Sequence, residues 1–259
     1  MPLYDEIGKG YNTTRRADPY LAHRFYEFLG PKQAGVYLDA GCGTGNYLTA
    51  LSNKGLQFYG IDASETMLTE ARARNTDAQF FHGNIEQLPM EDGFFDGATA
   101  VLTMHHWDNV AKGIEEIYRV LKPWAKFVAF TFTPEQVRGY WLEHYFPTMI
   151  ERAAATVPDA GEMERILREA GFASVAFENY FVLPELEDHF MYSCKHQPER
   201  CLVAEMRKNT SGFTALANQE EVERGLVQLE NDIRTGKIEE IMDDYENDLG
   251  DYLFIVAEK

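Results

Sequence analysis

The stretch VYLDAGCGTGNYL, residues 36–48, limits the fold of this chain more than any other part of the sequence. A short apolar run contains an acid, Asp39, and glycines then follow at alternate positions, Gly41, Gly43 and Gly45. Glycine adopts backbone angles that other residues avoid, and it has no Cβ to keep a ligand away. The stretch therefore predicts a ligand-binding loop between a buried strand and a helix, although a tight structural turn can use the same residues.

Strand and helix patterns alternate along the first half of the chain, which predicts a parallel sheet with helices on both faces. In such α/β sheets ligands bind outside the carboxyl ends of the strands, where the glycine loop falls. The predicted strands are 36–39, 58–62, 80–82, 97–103, 126–132, 174–183 and 252–257; the predicted helices are 19–29, 46–52, 64–74, 109–121 and 162–170, with a turn at 122–124.

The alternation changes after residue 133, and five segments are predicted. Residues 1–30 form an N-terminal lid and helix, residues 31–133 a Rossmann-like core, and residues 134–183 an aromatic-rich connection with a further helix and strand. Residues 184–247 show helical patterns without a strand, and residues 248–259 contain the final strand. The sequence thus predicts an α/β domain with a helical insertion before its last strand.

Charge and composition exclude several classes of protein. The chain has 259 residues with a formal net charge of −18, and such a surface repels the phosphate backbone of nucleic acids. No apolar stretch predicts a membrane span, the polar start does not resemble a signal peptide, and three widely spaced cysteines suggest no disulfide framework. We therefore expect a cytoplasmic monomer or homodimer without a nucleic-acid or membrane partner.

Side chains around the glycine loop distinguish it from two common phosphate-binding patterns. A dinucleotide loop reads G-x-G-x-x-G, but Asn46 stands at the position of the third glycine, and no P-loop pattern occurs. Asp62 ends the second predicted strand, where a carboxylate can accept hydrogen bonds from both hydroxyls of a ribose. Asn84 follows the third predicted strand, where a short polar side chain can contact an adenine edge.

Five motifs together resemble the class I S-adenosylmethionine-dependent methyltransferases, and most of all the small-molecule type 11 branch that includes the quinone methyltransferases. They are DAGCGTG, GIDASETML, GNIEQLP, FDGATAVLTMHHW and EIYRVLKP, in register over about residues 36–133. The resemblance implies a doubly wound sheet of seven mostly parallel strands, the last one antiparallel, with a helical lid. It also implies S-adenosyl-L-methionine as the cofactor and a small-molecule acceptor.

The same resemblance implies roles for residues of the core. Asp39 and the loop glycines would surround the methionine part of the cofactor, Asp62 would bind the ribose hydroxyls, and Met67 would pack near the adenine. Many relatives carry an aspartate at position 84, so the neutral Asn84 should bind the adenine amino group more weakly. The full set of predicted cofactor-binding residues is Tyr11, Arg16, Asp39, Gly41, Cys42, Gly43, Gly45, Asp62, Ala63, Met67, Asn84, Ile85 and Leu102.

His105 and His106 follow the fourth predicted strand, at the mouth of the expected site. Histidine exchanges protons near neutral pH, so either ring could act as a catalytic base or position the substrate, and a structural cap is the alternative. A base is needed only when the acceptor loses a proton before or during attack. We expect one of the two rings to face the site.

The N-terminus is a candidate lid because Tyr4, Tyr11, Arg15 and Arg16 cluster there without helical spacing. In relatives a similar segment folds over the cofactor, and an arginine could bind the methionine carboxylate in a forked pair. A solvated, mobile terminus is the alternative.

Substrate choice is expected to depend on the aromatic-rich segment and the helical insertion. Tyr140, Trp141 and Tyr145 could form the walls of a pocket for an apolar acceptor, or the core of a small helical layer. With Tyr4, His105 and His106 they make up the predicted substrate-binding set.

The sequence leaves several alternative functions open. Cys194 and Cys201 lie on one potential helix face and could bind a soft metal, but no His/Cys pair has zinc spacing, and we expect structural thiols and no metal. A nicotinamide-dependent oxidoreductase, a non-catalytic cofactor-binding protein and a methyltransferase with a protein acceptor are the alternatives. The expected acceptor is a hydroxyl, an amine or an activated carbon of an aromatic or heteroaromatic metabolite.

Overall fold

The computed structural model describes residues 11–259, and within them seven strands form one sheet. In the order β3-β2-β1-β4-β5-β7-β6, β7 runs antiparallel to both neighbours and the other adjacent pairs are parallel. The predicted Rossmann-like, doubly wound sheet with an antiparallel last strand is confirmed. The strands are β1 (Val36–Ala40), β2 (Gln57–Asp62), β3 (Gln79–His82), β4 (Phe95–Val101), β5 (Leu121–Thr131), β6 (Ser174–Tyr180) and β7 (Tyr252–Glu258).

Helices connect the strands and fill the chain between β6 and β7. The α-helices are α1 (Pro19–Leu29), α2 (Asn46–Ser52), α3 (Glu65–Arg74), α4 (Val110–Val120), α5 (Pro134–Arg138), α6 (Leu142–Tyr145), α7 (Pro147–Ala154), α8 (Ala160–Ala170), α9 (Ala204–Lys208), α10 (Gln219–Thr235) and α11 (Lys237–Asp244). Short 3₁₀ turns span Tyr11–Thr13, Met104–His106, Met191–Cys194 and Pro198–Leu202, and a π-helix spans Gly212–Leu216.

Helix α1 shows how local sequence sets these boundaries. The Asp18 carboxylate accepts a hydrogen bond from the backbone N–H of Leu21 at 3.0 Å and caps the first turn. Pro19 occupies the first helical position, where a missing N–H costs nothing. Gly30, with φ of +54°, ends the helix in the left-handed conformation. The helix buries Phe25 against the sheet.

Apolar side chains form one core on each face of the sheet. On one face Phe127 and Phe95 pack with α4 and α8. On the other face Phe130 and Phe254 pack with α1 and α2, and the same cluster continues into the helices of the insertion. The insertion is therefore joined to the sheet by a continuous apolar core.

Several predicted boundaries differ from the structure. The sixth strand, predicted at 174–183, ends at Tyr180, and most of the others shift by one or two residues. Strand β4 ends at Val101 rather than at residue 103, because Leu102 adopts a left-handed backbone conformation with φ of +49°. The segment predicted as a turn at 122–124 belongs to β5, but the pairing with β4 shifts there, and Trp124 has φ of +68°.

No helix among residues 11–259 is both long enough and apolar enough to cross a membrane.

Candidate active site

A cavity of about 410 Å³ opens at the carboxyl ends of β1, β2 and β4. Its wall contains most of the predicted cofactor-binding residues, because the loops after these strands converge at this edge of the sheet. Those that line it are Tyr11, Asp39, Gly41, Cys42, Gly43, Asp62, Ala63, Met67, Asn84, Ile85 and Leu102.

The glycine loop lies against this cavity in conformations that require glycine. Gly41 and Gly43 have φ of +73° and +53°. A Cβ at Gly41 would lie 2.0 Å from Thr103 Oγ1, so a larger residue does not fit there. A Cβ at Gly43 would have Met67 Cε, at 3.7 Å, as its nearest neighbour, and both residues line the cavity. Gly45 does not line it and precedes α2 with φ of +73°.

Asp62 ends β2 with its carboxylate held by backbone donors. Oδ2 accepts a hydrogen bond from the N–H of Gly43 at 2.8 Å, and Oδ1 accepts one from the N–H of Ser64 at 2.9 Å. A carboxylate has about four acceptor sites, so both oxygens can also accept hydrogen bonds from a ribose diol. The residues present therefore fit the adenosyl part of S-adenosylmethionine.

The charged residues of the wall favour a cationic ligand over a phosphate. They are four aspartates and one arginine among the described residues, namely Asp39, Asp62, Asp108, Asp188 and Arg15. An excess of carboxylates repels a pyrophosphate and attracts an ammonium or a sulfonium group. This charge balance fits S-adenosylmethionine and opposes a nicotinamide dinucleotide.

Asp39 is buried below the glycine loop. Burial and the nearby Asp62 carboxylate raise the pKa of Asp39 from 3.8 to about 7, against the effect of a hydrogen bond from Thr99 Oγ1 at 2.9 Å. Near neutral pH the side chain is therefore poised between its neutral and anionic forms. A cation bound beside it would favour the anion.

We expect Asp39→Asn to stabilise the ligand-free protein above pH 7. The unfolded chain loses this proton near pH 3.8 and the folded chain near pH 7, so the wild type loses stability as pH rises through that interval and its penalty stays constant above it. At about 1.4 kcal/mol per pH unit the difference amounts to roughly 4 kcal/mol. Urea denaturation at about pH 4.5 and about pH 8 measures most of this difference, about 3 kcal/mol.

Asp77→Asn is the matched control, because this carboxylate is exposed. Its stability should differ little from that of the wild type at either pH. A stability difference for Asp39→Asn that does not change with pH would contradict the assignment of a raised pKa.

The N-terminal segment, residues 11–18, covers the cavity with Arg15 rather than with Arg16. Arg15 is buried and lines the cavity together with Tyr11. Arg16, a predicted cofactor-binding residue, is exposed, does not line the cavity and pairs with Glu187 at 3.3 Å. One arginine of the adjacent pair therefore faces inward and the other faces solvent. Tyr4 lies outside the described residues.

Hydrogen bonds join this segment to the glycine loop. Thr44 Oγ1 donates to Asn12 Oδ1 at 2.7 Å, and Asn46 Nδ2 donates to the carbonyl of Arg15 at 3.2 Å. The segment therefore packs against the loop that it covers.

A second set of bonds joins the same segment to the insertion. The Arg15 Nε donates to Asp188 Oδ1 at 2.6 Å, and Tyr47 Oη donates to Asp188 Oδ2 at 3.2 Å. Asn209 Nδ2 donates to Thr14 Oγ1 at 2.8 Å. The N-terminal segment thus lies between the core and the insertion and packs over the cavity.

His105 and His106 face different cavities. His106 lines the large cavity, and His105 lines an adjoining cavity of about 50 Å³. Burial lowers the pKa of His105 well below 6.5, and the neighbouring His106 lowers it further. Desolvation by the surrounding protein, and then the charge of Arg15, also lower the pKa of His106, whose ring remains exposed to the cavity. Both imidazoles are neutral at pH 7 and can accept a proton.

The predicted aromatic walls of the substrate pocket lie elsewhere. Tyr140, Trp141 and Tyr145 are at most 3% exposed and line neither cavity. Tyr140 packs on Tyr192 with ring centroids 3.9 Å apart, and Tyr145 Oη donates to Asp232 Oδ2 at 3.2 Å. They form the core of the helical layer, because large aromatic rings bury the most apolar surface there.

Several wall residues were not predicted. Thr44 and Tyr47 belong to the quoted glycine stretch, and Trp107 follows the two histidines, so their position next to the motifs was the available signal. Asp188 had no such signal, since its partner Arg15 is 173 residues away.

Cys194 and Cys201 are buried in the insertion. Burial and a contact with Cys194 raise the pKa of the Cys201 thiol well above 9. A protonated thiol is a poor metal ligand. Among residues 11–259 no cluster of three or more histidine, cysteine or acidic side chains could hold a metal ion.

Comparisons with known proteins agree with this geometry. Residues 38–129 match a family model described as a methyltransferase domain. A demethylmenaquinone methyltransferase of Oceanobacillus iheyensis is 29% identical over 210 residues, which cover 69% of this chain and 88% of that protein. A crystal structure from Anabaena variabilis, assigned as a methyltransferase from an antibiotic biosynthesis pathway, is 32% identical, with a TM-score of 0.85 over 94% of this chain and 98% of that chain.

A more distant structure shows the fold with the cofactor bound. Phosphoethanolamine N-methyltransferase 2 of Haemonchus contortus, solved with S-adenosyl-L-methionine, is 19% identical, with a TM-score of 0.57 over 93% of this chain and 52% of that chain. The family match includes the glycine loop, Asp62 and Asn84, which form the cavity described above. The protein belongs to the class I S-adenosylmethionine-dependent methyltransferases, in the type 11 branch, and S-adenosyl-L-methionine is its cofactor.

Proposed function

We propose that this enzyme transfers the methyl group to an oxygen, nitrogen or carbon atom of a small aromatic or heteroaromatic molecule. The observation that carries the proposal is the cover over the cofactor cavity. Arg15 and Asp188 are 9% and 1% exposed, and their ion pair joins the N-terminal segment to the insertion above the cavity. A folded protein acceptor would have to displace both, whereas a small molecule fits beneath them.

A relative supports the same class of acceptor. The Oceanobacillus iheyensis protein is named for demethylmenaquinone, a molecule with an aromatic quinone head group, and its similarity extends over 69% of this chain. Cytoplasmic location and a monomeric or homodimeric state remain predictions from the sequence.

The residues of the site would act mainly by positioning and by excluding water. When bound, S-adenosylmethionine supplies a methyl group on a cationic sulfur, which the acceptor atom attacks in line. Asp62 would hold the ribose, and the N-terminal segment would exclude water. A neutral His105 or His106 would accept the proton that an acceptor hydroxyl loses.

Incubation with S-adenosylmethionine and a panel of small aromatic alcohols, amines and quinols tests the proposal. We expect S-adenosylhomocysteine and one methylated small molecule, detected by mass spectrometry. A parallel incubation with a cell-extract protein fraction separates the alternatives. Methylated protein without a methylated small molecule would contradict the proposal. Binding of the cofactor without methylation of any compound in the panel or of any protein would also contradict it and would indicate a non-catalytic role.

A further inference from the structure

The second cavity, of about 50 Å³, adjoins the cofactor cavity through a shared wall. Leu102 and Arg15 line both cavities, and the two successive histidines line one each. Leu102 holds a φ of +49°, which is costly for a branched side chain and is typical of functional sites. The chain turns at Leu102, and the consecutive residues His105 and His106 beyond it line different cavities.

Apolar side chains form most of the wall of this second cavity. Phe132 follows β5, Ala153 lies in α7, and Phe190 and Leu216 belong to the insertion. Within residues 11–259 the wall has one cationic side chain, Arg15, whose Nε and Nη2 atoms contact the carboxylate of one aspartate at 2.6 and 3.3 Å. Among the described residues that line it there is no carboxylate to neutralise an ammonium group, so the cavity suits an uncharged ring.

One side chain of this wall has a buried nitrogen without a hydrogen-bond partner among the described residues. His105 Nδ1 is buried and forms no hydrogen bond within the described part of the chain. Two hydroxyls of the wall already donate hydrogen bonds, since Thr156 Oγ1 donates to the carbonyl of Ala153 at 2.7 Å and Thr210 Oγ1 donates to that of Arg207 at 2.8 Å. Buried polar atoms in proteins are nearly always paired, so a ligand hydroxyl is the natural partner for this nitrogen.

The local backbone is also unusual where the insertion meets the cavity. The cavity wall includes Gly212, which begins the π-helix Gly212–Leu216. A Cβ at this glycine would lie 3.0 Å from Met191 Sδ, another wall atom. Short π-helices occur frequently at functional sites. The cavity has room for roughly four water molecules, which matches the hydroxyl end of an aromatic ring rather than a large substrate.

We propose that the second cavity is the acceptor subsite, and that it binds an uncharged phenol-type ring whose hydroxyl donates a hydrogen bond to His105 Nδ1. The inference rests on the proposed function, because it names the acceptor class for that reaction. In a methyl transfer to the phenolic oxygen, the O–CH₃ bond would form as the S–CH₃ bond and the phenolic O–H bond break. The proton would pass to Nδ1 and the C–S bonding electrons would remain on sulfur.

Fragment binding to the protein saturated with S-adenosylhomocysteine tests this assignment. The probes are phenol, anisole, which cannot donate a hydrogen bond, and benzylammonium, which is charged. Ligand-detected NMR titration should show phenol bound about fivefold more tightly than anisole, the factor for one hydrogen bond, and benzylammonium bound most weakly.

Two variants locate the fragment. Ala153→Leu fills the cavity and should weaken phenol binding at least about tenfold, since a buried site has little room for added methyl groups. The matched control Ala155→Leu makes the same change at an exposed position two residues away and should bind phenol normally. His105→Phe keeps a flat ring and should reduce the preference for phenol over anisole to about one, which tests the hydrogen bond even if Ala153→Leu does not fold.

The outcomes separate this inference from the proposed function. Normal phenol binding by Ala153→Leu, or an unchanged phenol preference in His105→Phe, would overturn the inference while leaving the cofactor site intact. Displacement of S-adenosylhomocysteine by phenol would also overturn it, since the fragment would then occupy the large cavity. Failure of the proposed function would instead appear as an absence of methylated product with every acceptor.

Discussion

Alanine in place of Asp62 should weaken the binding of S-adenosylhomocysteine at least about 100-fold. Its carboxylate is aligned by the N–H groups of Gly43 and Ser64, and a ribose diol adds two charge-assisted hydrogen bonds. Such bonds contribute about 1.5–3 kcal/mol each, and about 1.4 kcal/mol corresponds to a tenfold change in affinity. Isothermal titration calorimetry measures the loss.

Two further variants show whether the effect belongs to this carboxylate. Asp62→Asn keeps the shape and one acceptor oxygen but loses the charge, so its affinity should fall between those of the wild type and Asp62→Ala. Asp77→Ala removes an exposed carboxylate and changes the net charge of the protein by the same amount, so this variant should bind S-adenosylhomocysteine normally. Wild-type affinity in Asp62→Ala would show that the ribose does not bind there.

The second large effect concerns the ion pair between Arg15 and Asp188, which joins the N-terminal segment to the insertion. Asp188→Ala should lower the free energy of unfolding by about 3–5 kcal/mol, because it leaves the buried guanidinium of Arg15 without its carboxylate. The pair is well aligned, with contacts of 2.6 and 3.3 Å, and Asp188 also accepts a hydrogen bond from Tyr47. At about 2–4 °C per kcal/mol the melting temperature should fall by roughly 6–20 °C. Chemical denaturation and calorimetry measure both quantities.

An exposed ion pair provides the control for this substitution. Arg138 and Glu151 also form a forked pair, but their side chains are 44% and 56% exposed, so Glu151→Ala should cost at most about 1 kcal/mol. The double variant Arg15→Met with Asp188→Leu should lose less stability than the sum of the two single changes. Equal losses for Asp188→Ala and Glu151→Ala would mean that the pair of Arg15 and Asp188 contributes no more than a surface contact.

The sequence predicted the core of the site because that part depends on neighbouring residues. Strand β1, the glycine loop and α2 follow one another, and the left-handed conformations of Gly41 and Gly43 need residues without a Cβ. Asp62 could be placed at the same edge because parallel strands bring their carboxyl ends together. Local pattern and sheet topology were therefore sufficient here.

The contacts of the N-terminal segment could not be predicted in the same way, because they join distant parts of the chain. Arg15 and Asp188 are 173 residues apart, and nothing near either residue indicates the other. The choice between Arg15 and Arg16 depends on which of the two side chains faces the cavity, and the sequence around them has no periodicity that decides it. The aromatic residues of 140–146 have the composition of either a pocket wall or a helical core, and only packing distinguishes these.

Equilibrium dialysis of the wild-type protein with radiolabelled S-adenosylmethionine tests the central claim, that the cavity beside the glycine loop binds this cofactor. We expect one molecule bound per chain, displaced by unlabelled S-adenosylhomocysteine and retained in the presence of NADH, with the binding lost in Asp62→Ala. No bound label in the wild type, or label displaced by NADH, would contradict the account.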